Sequence, residues 1–249
     1  MKPAILCIGG LDPSGSAGLL ADADAVKDSG GRPLAVATAW TVQTHRGVRA
    51  FRSVPTPLIL AQLETLFQDE APAAVKLGML GRAEVAMALT RFLRRRLGAR
   101  PLVVDPVLRA SSGAPLFRGD PEAYAGLFKL STAVTPNLIE AAALLNWKAG
   151  VVWNRAMMAR AAGELLALGP RAVVLKGGHL EGGRSDDLLV DGFGERWFRA
   201  ARLDREARGT GCRFASALAT SLGRGEPLAA ATSHAKKLVR RYLLSTPSR

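Results

Sequence analysis

Cysteine and histidine are scarce in this chain: two cysteines and three histidines in 249 residues. Cys7 lies in an apolar run and Cys212 beside glycines, dissimilar settings that indicate no disulfide framework. The pair fits reduced thiols and a cytoplasmic protein. His45 has no ligand-type neighbours, so a His-based metal site is not expected. Aromatics make up only 6% of the chain, and no aromatic ladder is present on which bases would stack. No apolar run reaches membrane-spanning length. The short apolar start, residues 1–8, breaks at Gly9-Gly10 without a small-residue cleavage pattern and reads as a strand, not a signal peptide. Acidic residues are the minority sign, 21 against 34 basic ones, for a net charge of +13. Such an excess raises the question of nucleic-acid binding. The arginines are spread along the chain, however, and the densest cluster (Arg91, Arg94, Arg95, Arg96) falls on the polar side of an Ala/Leu helix. A solvated helix face explains it, and neither a nucleic-acid nor a membrane partner is expected.

What the chain does have is alternation. Apolar runs at residues 4–8, 33–39, 73–77, 102–104, 132–134 and 172–175 read as buried parallel strands. Helical periodicity occupies residues 18–29, 57–67, 82–97, 121–130, 138–145, 155–168, 212–222 and 227–244. Residues 186–191 and 195–200, with Gly192 and Gly194 between them, read as a β-hairpin. Residues 245–249 form a polar tail. The order predicts one α/β domain over 1–249, a mostly parallel sheet covered by helices on both faces. Ligands of such sheets bind beyond the strands' carboxyl ends, where every unusual loop of this chain falls.

Arg208-Gly209-Thr210-Gly211-Cys212 carries the strongest chemical signal. The glycines permit a tight turn with bare N–H groups, and the helix that follows offers its N-terminus to an anion. Cys212 sits in the first turn, where partial positive charge and neighbouring arginines are expected to favour its thiolate. A helix cap with a buried cysteine accounts for the same residues equally well. Gly9-Gly10-Leu11-Asp12-Pro13-Ser14-Gly15-Ser16-Ala17-Gly18 lets a ligand approach the backbone, with Asp12 available to a substrate hydroxyl; a turn capped by Asp12 or Ser14 is the plainer account. Gln43, in what reads as a loop after the second strand, offers one acceptor and two donors suited to an aminopyrimidine edge; a loop glutamine taken singly is more often just solvated. Asp105-Pro106-Val107 and Thr135-Pro136-Asn137-Leu138-Ile139-Glu140 each end a buried strand. Asn137 and Glu140 share a face and suit either Mg²⁺ or a capping box. Lys176-Gly177-Gly178-His179 places a lysine at a strand end, within reach of phosphate.

Taken together, and with Lys76-Leu77-Gly78-Met79-Leu80 added, these motifs resemble the hydroxymethylpyrimidine/phosphomethylpyrimidine kinases of thiamine biosynthesis, members of the ribokinase-like superfamily. The similarity runs from about Ile5 to Leu244 in matching order and spacing. It implies a three-layer αβα sandwich and ATP- and Mg²⁺-dependent phosphorylation of a pyrimidine alcohol. It also implies a homodimer by family habit. By the same resemblance, Gly10, Asp12, Ala17, Gln43, Met79 and Val107 line the substrate side. Lys176, Asn137 and Thr210 face the nucleotide, and Glu140, Asn137 and Asp105 the metal. Gly209, Thr210 and Gly211 form the anion hole, and Cys212 takes the position of the base.

The chain departs from the family pattern around the phosphate side. Arg208 replaces a usual histidine, Arg213 a threonine, Ser111 a lysine and Leu11 a serine, and the usual Gly- and His-containing tail is not seen after Arg249. Arg208 and Arg213 are expected either to add charge where phosphate sits or, for Arg213, to point to solvent. A pyridoxal-type kinase on the same scaffold and a pyrimidine-binding regulator without efficient transfer remain as alternatives.

Overall fold

The computed structural model describes residues 2–110, 112–148, 151–178, 180 and 183–246; Ser111, His179 and residues 247–249 of the polar tail lie outside them. In chain order the elements are β1 (Ala4–Leu11), α1 (Gly18–Asp28), β2 (Arg32–Thr44), β3 (Gly47–Ser53), α2 (Thr56–Asp69), β4 (Ala74–Leu77), β5 (Gly81–Arg82), α3 (Ala83–Arg96), β6 (Leu102–Val104) and β7 (Phe117–Arg118). A 3-10 turn (Pro121–Tyr124) then runs into α4 (Ala125–Phe128), followed by β8 (Ala133–Val134), α5 (Leu138–Leu144), α6 (Arg155–Ala167), β9 (Ala172–Leu175), β10 (Asp187–Asp191), β11 (Gly194–Phe198), α7 (Thr210–Gly223) and α8 (Leu228–Ser245).

Nine strands form one sheet in the order β11-β10-β9-β8-β6-β4-β1-β2-β3, and β5 pairs with β7 in a small second sheet. The central pairings, from β9 across to β2, are parallel. The margins, β3 on one side and β10 with β11 on the other, are antiparallel. Period-two alternation sorts the strand side chains into two cores. Leu6, Ile8, Val75, Leu77, Val104, Val173 and Leu175 face α2 to α6, whereas Ile5, Cys7, Ala74, Val103, Ala172 and Val174 face α1, α7 and α8. The result is a helix–sheet–helix sandwich, as expected, with the apolar runs in its buried strands.

Local signals end the helices where side chains supply the missing bonds. Asn154 accepts from the Met157 amide at the start of α6 (2.9 Å), and Asp120 accepts from Glu122 at the 3-10 turn (2.8 Å). The structure also corrects several boundaries. β1 continues through Gly9, Gly10 and Leu11, and β2 continues to Thr44, where it turns back into β3. Gln43 therefore lies in a hairpin rather than a loop. β3 has one buried residue, Phe51, and mixed exposure elsewhere, so it carries no periodic apolar signal. Residues 121–130 form a 3-10 turn and a single α turn, not one helix.

Candidate active site

The carboxyl ends of β1, β4, β6, β8 and β9 and the N-terminus of α7 converge on one end of the sheet. Gly209 caps α7 at φ 72°, a left-handed backbone that favours glycine. A Cβ there would lie 2.2 Å from the Ser16 carbonyl oxygen. The first helical bond runs from the Arg213 amide to the Gly209 carbonyl (2.9 Å). The amides of Thr210, Gly211 and Cys212 therefore have no partner within the helix, and they share its positive end. The loop read as an anion hole is thus a helix N-terminus capped by a left-handed glycine.

Lys176 stands against that loop. Its Nζ is 3.0 Å from where a Gly211 Cβ would be, so a side chain there would push the ammonium aside. The same Nζ donates to Asp105 Oδ1 (2.9 Å), which also accepts from the Thr135 hydroxyl (3.3 Å). Burial pulls the Lys176 ammonium down, but Asp105 and Glu140 hold it above its ordinary value. Asn137 and Glu140 form a full capping box on α5: each side chain accepts from the other's amide at 2.8 Å. The capping-box reading of this pair is therefore the one observed, and Glu140 is also buried beside Lys176 and Asp105. Burial and the Asp105 charge push its carboxyl up to about 7 against the opposing pull of Lys176.

Cys212 overturns one expectation. Its thiol is pushed up to about 11 by burial, with Asp22 and Asp105 adding to the rise. Lys76 and a hydrogen bond from the Gly18 amide pull the other way without prevailing. The partial charge of a helix end is too weak to offset desolvation of a thiolate. Both cysteines are free thiols.

On the other side of the loop, Asp12 is buried and organises its own turn. Oδ1 accepts from the Ser14 amide (2.8 Å) and hydroxyl (2.7 Å), and Oδ2 accepts from the Ala17 amide (2.9 Å). The carboxylate read as a contact for a substrate hydroxyl is engaged within the turn that carries Ala17. Gly10 touches Met79, whose Sδ would be 2.7 Å from an added Cβ. Met79 packs with Ala39, Phe51 and Leu116, and Val107 joins them, forming a small apolar wall. Gln43 is half-buried near the end of β2, beside a register shift, and its side-chain amide has no hydrogen-bond partner among the described residues.

Of the two arginines, Arg213 does not take the solvent-facing position considered for it. Arg213 is buried, 7% exposed. Its guanidinium lies over the Tyr242 ring of α8 at 3.9 Å and donates to the Ser16 carbonyl at 3.1 Å, with Asp24 at 3.8 Å. Arg208 donates to the Thr44 carbonyl of the β2–β3 hairpin, and its own carbonyl accepts from the Tyr242 hydroxyl at 3.2 Å.

Residues 12–248 match the phosphomethylpyrimidine kinase family. The chain belongs to that family. A hydroxymethylpyrimidine/phosphomethylpyrimidine kinase of Rhizobium meliloti is 41% identical over 241 residues, 95% of this chain and 88% of the relative. The crystal structure of a phosphomethylpyrimidine kinase from Clostridium difficile superposes with a TM-score of 0.80 at 33% identity, covering 98% of both chains. The pyridoxal kinase of Staphylococcus aureus, solved with ADP, gives a TM-score of 0.88 at 29% identity, over 98% of this chain and 88% of the other.

Two buried charged networks behind this phosphomethylpyrimidine kinase site had no assigned role in the sequence reading. Lys76 of β4 donates to both oxygens of Asp22 on α1 (2.7 and 2.8 Å), and Ser216 of α7 donates to Asp22 at 2.8 Å. Ser216 lies one helical turn beyond Cys212 and on the same face. Asp187 of β10 accepts from the Gly177 amide (3.0 Å) and from Lys236 of α8 (2.7 Å), fixing the turn that follows Lys176. The available signal was a single charge inside an apolar stretch: Lys76 between Val75 and Leu77, and Asp22 among alanines.

Proposed function

We propose that this kinase transfers the γ-phosphoryl group of ATP to the hydroxymethyl oxygen of 4-amino-5-hydroxymethyl-2-methylpyrimidine. The supporting observation is the junction at Cys212. The unpartnered amides of Thr210, Gly211 and Cys212, with Lys176 against them, lie on one side of it. Cys212 also accepts from the Gly18 amide, and Gly18 abuts Gly10, which touches Met79 of the apolar wall. In the reaction the alcohol oxygen bonds to the γ-phosphorus, the bond from that phosphorus to the β–γ bridging oxygen breaks, and ADP leaves. The amides and Lys176 oppose the charge on the transferring group. Gln43 reads the aminopyrimidine edge, and Asp12 keeps the turn of Ala17 in shape beside it. Cys212 takes the hydroxyl proton as its thiolate, so the free chain's high thiol pKa makes the rate climb with pH.

The residues near Lys176 also fit a divalent cation. Oδ2 of Asp105 and Oε1 of Glu140 have no donor among the described residues. Among the described residues, no group of three or more ligating His, Cys, Asp or Glu side chains forms. Hard oxygens in small number suit Mg²⁺, which keeps waters and shares phosphate oxygens. Asp105 and Glu140, with the Asn137 amide group, would hold it; when bound it would neutralise the triphosphate and polarise the γ-phosphoryl group.

The higher TM-score with a pyridoxal kinase, at lower identity, makes pyridoxal the second substrate to consider. ADP release should be measured with the pyrimidine alcohol, its monophosphate and pyridoxal in parallel. Turnover preferring the pyrimidine alcohol supports the proposal. A preference for pyridoxal, or tight pyrimidine binding without ADP release, refutes it.

A further inference from the structure

Arg208 and Arg213, the two residues read as departures from the family pattern, meet on one residue, Tyr242. Its ring underlies the Arg213 guanidinium, and its hydroxyl donates to the Arg208 carbonyl. Arg208 and Arg213 bracket the anion loop, so α8 holds that loop at both ends. From this platform Arg213 reaches 197 residues back along the sequence to the Ser16 carbonyl. Ser16 and Ala17 belong to the turn that Asp12 organises on the pyrimidine side, and Gly209 is pressed against both of them. Arg208 adds a second tie, to Thr44, next to Gln43.

We propose that Arg213, seated on Tyr242, is a positioning residue for phosphoryl transfer: it clamps the turn of residues 12–17 to the anion loop and so sets the distance between the alcohol and the phosphate. The proposal rests on the kinase reading above. Its chemistry is geometric. The guanidinium has a flat face for the ring and in-plane donors for the carbonyl, two demands that lysine or threonine does not meet together. The exposed carboxylate of Asp24 stands 3.8 Å from the same guanidinium, so its charge already has an anionic neighbour. Displacing a reacting group by about 1 Å costs on the order of 10²-fold in rate, so a clamp at this seam acts on kcat without touching either ligand.

The test uses Arg213→Met, which keeps an aliphatic cover over Tyr242 but loses the bond to Ser16, together with Arg213→Lys and Tyr242→Leu. Steady-state kinetics with ATP and the pyrimidine alcohol are measured at low and high salt. Hydrogen exchange is followed at the Ser14 and Ala17 amides. The expected result for Arg213→Met is a kcat lower by roughly 10- to 100-fold, a raised KM for the alcohol, an ATP KM within about twofold of the parent, and faster exchange at both amides. Arg213→Lys should fall between the parent and the Met variant. Tyr242→Leu should reproduce the Met variant and add little to it in the double variant. A salt-dependent rise in ATP KM would instead make Arg213 a phosphate ligand and overturn the clamp. A lower melting temperature with kcat per folded molecule and amide exchange unchanged would overturn it as well. If the parent enzyme does not turn over the pyrimidine alcohol, the kinase reading fails separately, and the exchange rates still decide whether the clamp exists.

Discussion

Replacing Lys76 by methionine removes one half of an ion pair that has no access to water. Both side chains are about 1% exposed. Burial pulls the Lys76 ammonium down, yet Asp22, Cys212 and Asp105 together hold it above its ordinary value. In Lys76→Met the Asp22 carboxylate keeps only the Ser216 hydroxyl as donor. Leaving a buried charge unpaired costs about 3–5 kcal/mol, whereas removing both charges is close to neutral. In a chain of this size each kcal/mol moves the melting temperature by about 2–4 °C, so the single variant should melt about 6–20 °C lower. Lys76→Met/Asp22→Asn should recover most of that loss, since the asparagine oxygen still accepts from Ser216. Thermal and urea unfolding of the parent, both single variants and the double variant give the coupling directly. A drop below about 1 kcal/mol in Lys76→Met, or a double variant as unstable as the sum of the singles, refutes the argument that Lys76 is there to balance Asp22.

Cys212 should titrate at about 11 in the free chain. Alkylation by iodoacetamide and kcat/KM should both rise about tenfold per pH unit above neutrality. A flat kcat/KM profile between pH 7 and 9.5 would remove Cys212 from the proton transfer. Gln43→Leu leaves the aminopyrimidine edge unpaired and should weaken the alcohol by about 1–3 kcal/mol while sparing ATP; isothermal titration with each ligand separates the two. Gly209→Ala places a Cβ 2.2 Å from the Ser16 oxygen at a left-handed backbone position. Turnover should fall at least on the order of 10²-fold, measured as ADP release at saturating substrates. Near-normal turnover would show that the seam between the two loops tolerates displacement.

The parallel core was legible because its strands are buried on both faces and read as unbroken apolar runs. Residues 4–8, 102–104 and 172–175 fall inside or on the observed strands. β3 was not legible, since a margin strand with two arginines off the strand period and little burial resembles a loop. The tight turn into α7 was legible from its glycines, and the capping box on α5 from the spacing of Asn137 and Glu140. The direction of Arg213 was not. The helix begins at Thr210 rather than at Cys212, and nothing local places Tyr242, 29 positions later in the sequence, beneath the guanidinium. Buried pairs such as Lys76 with Asp22, 54 residues apart, leave no periodic trace. The thiol was misjudged for a related reason: burial, which outweighs the helix end, is a property of the packed molecule.

The seating of Tyr242 beneath the anion loop also bears on how the protein comes into being. The turn at residues 12–17 leaves the ribosome early, while the side chain that supports its clamp belongs to α8. The contact from Arg213 to Ser16 spans 197 residues, and that from Arg208 to Thr44 spans 164. Closing contacts of such separation costs loop entropy, and folds rich in them form slowly. A chain in which α8 is displaced keeps every glycine of the loop but loses the ring beneath Arg213. The support of the site thus lies in a helix that carries none of its motifs.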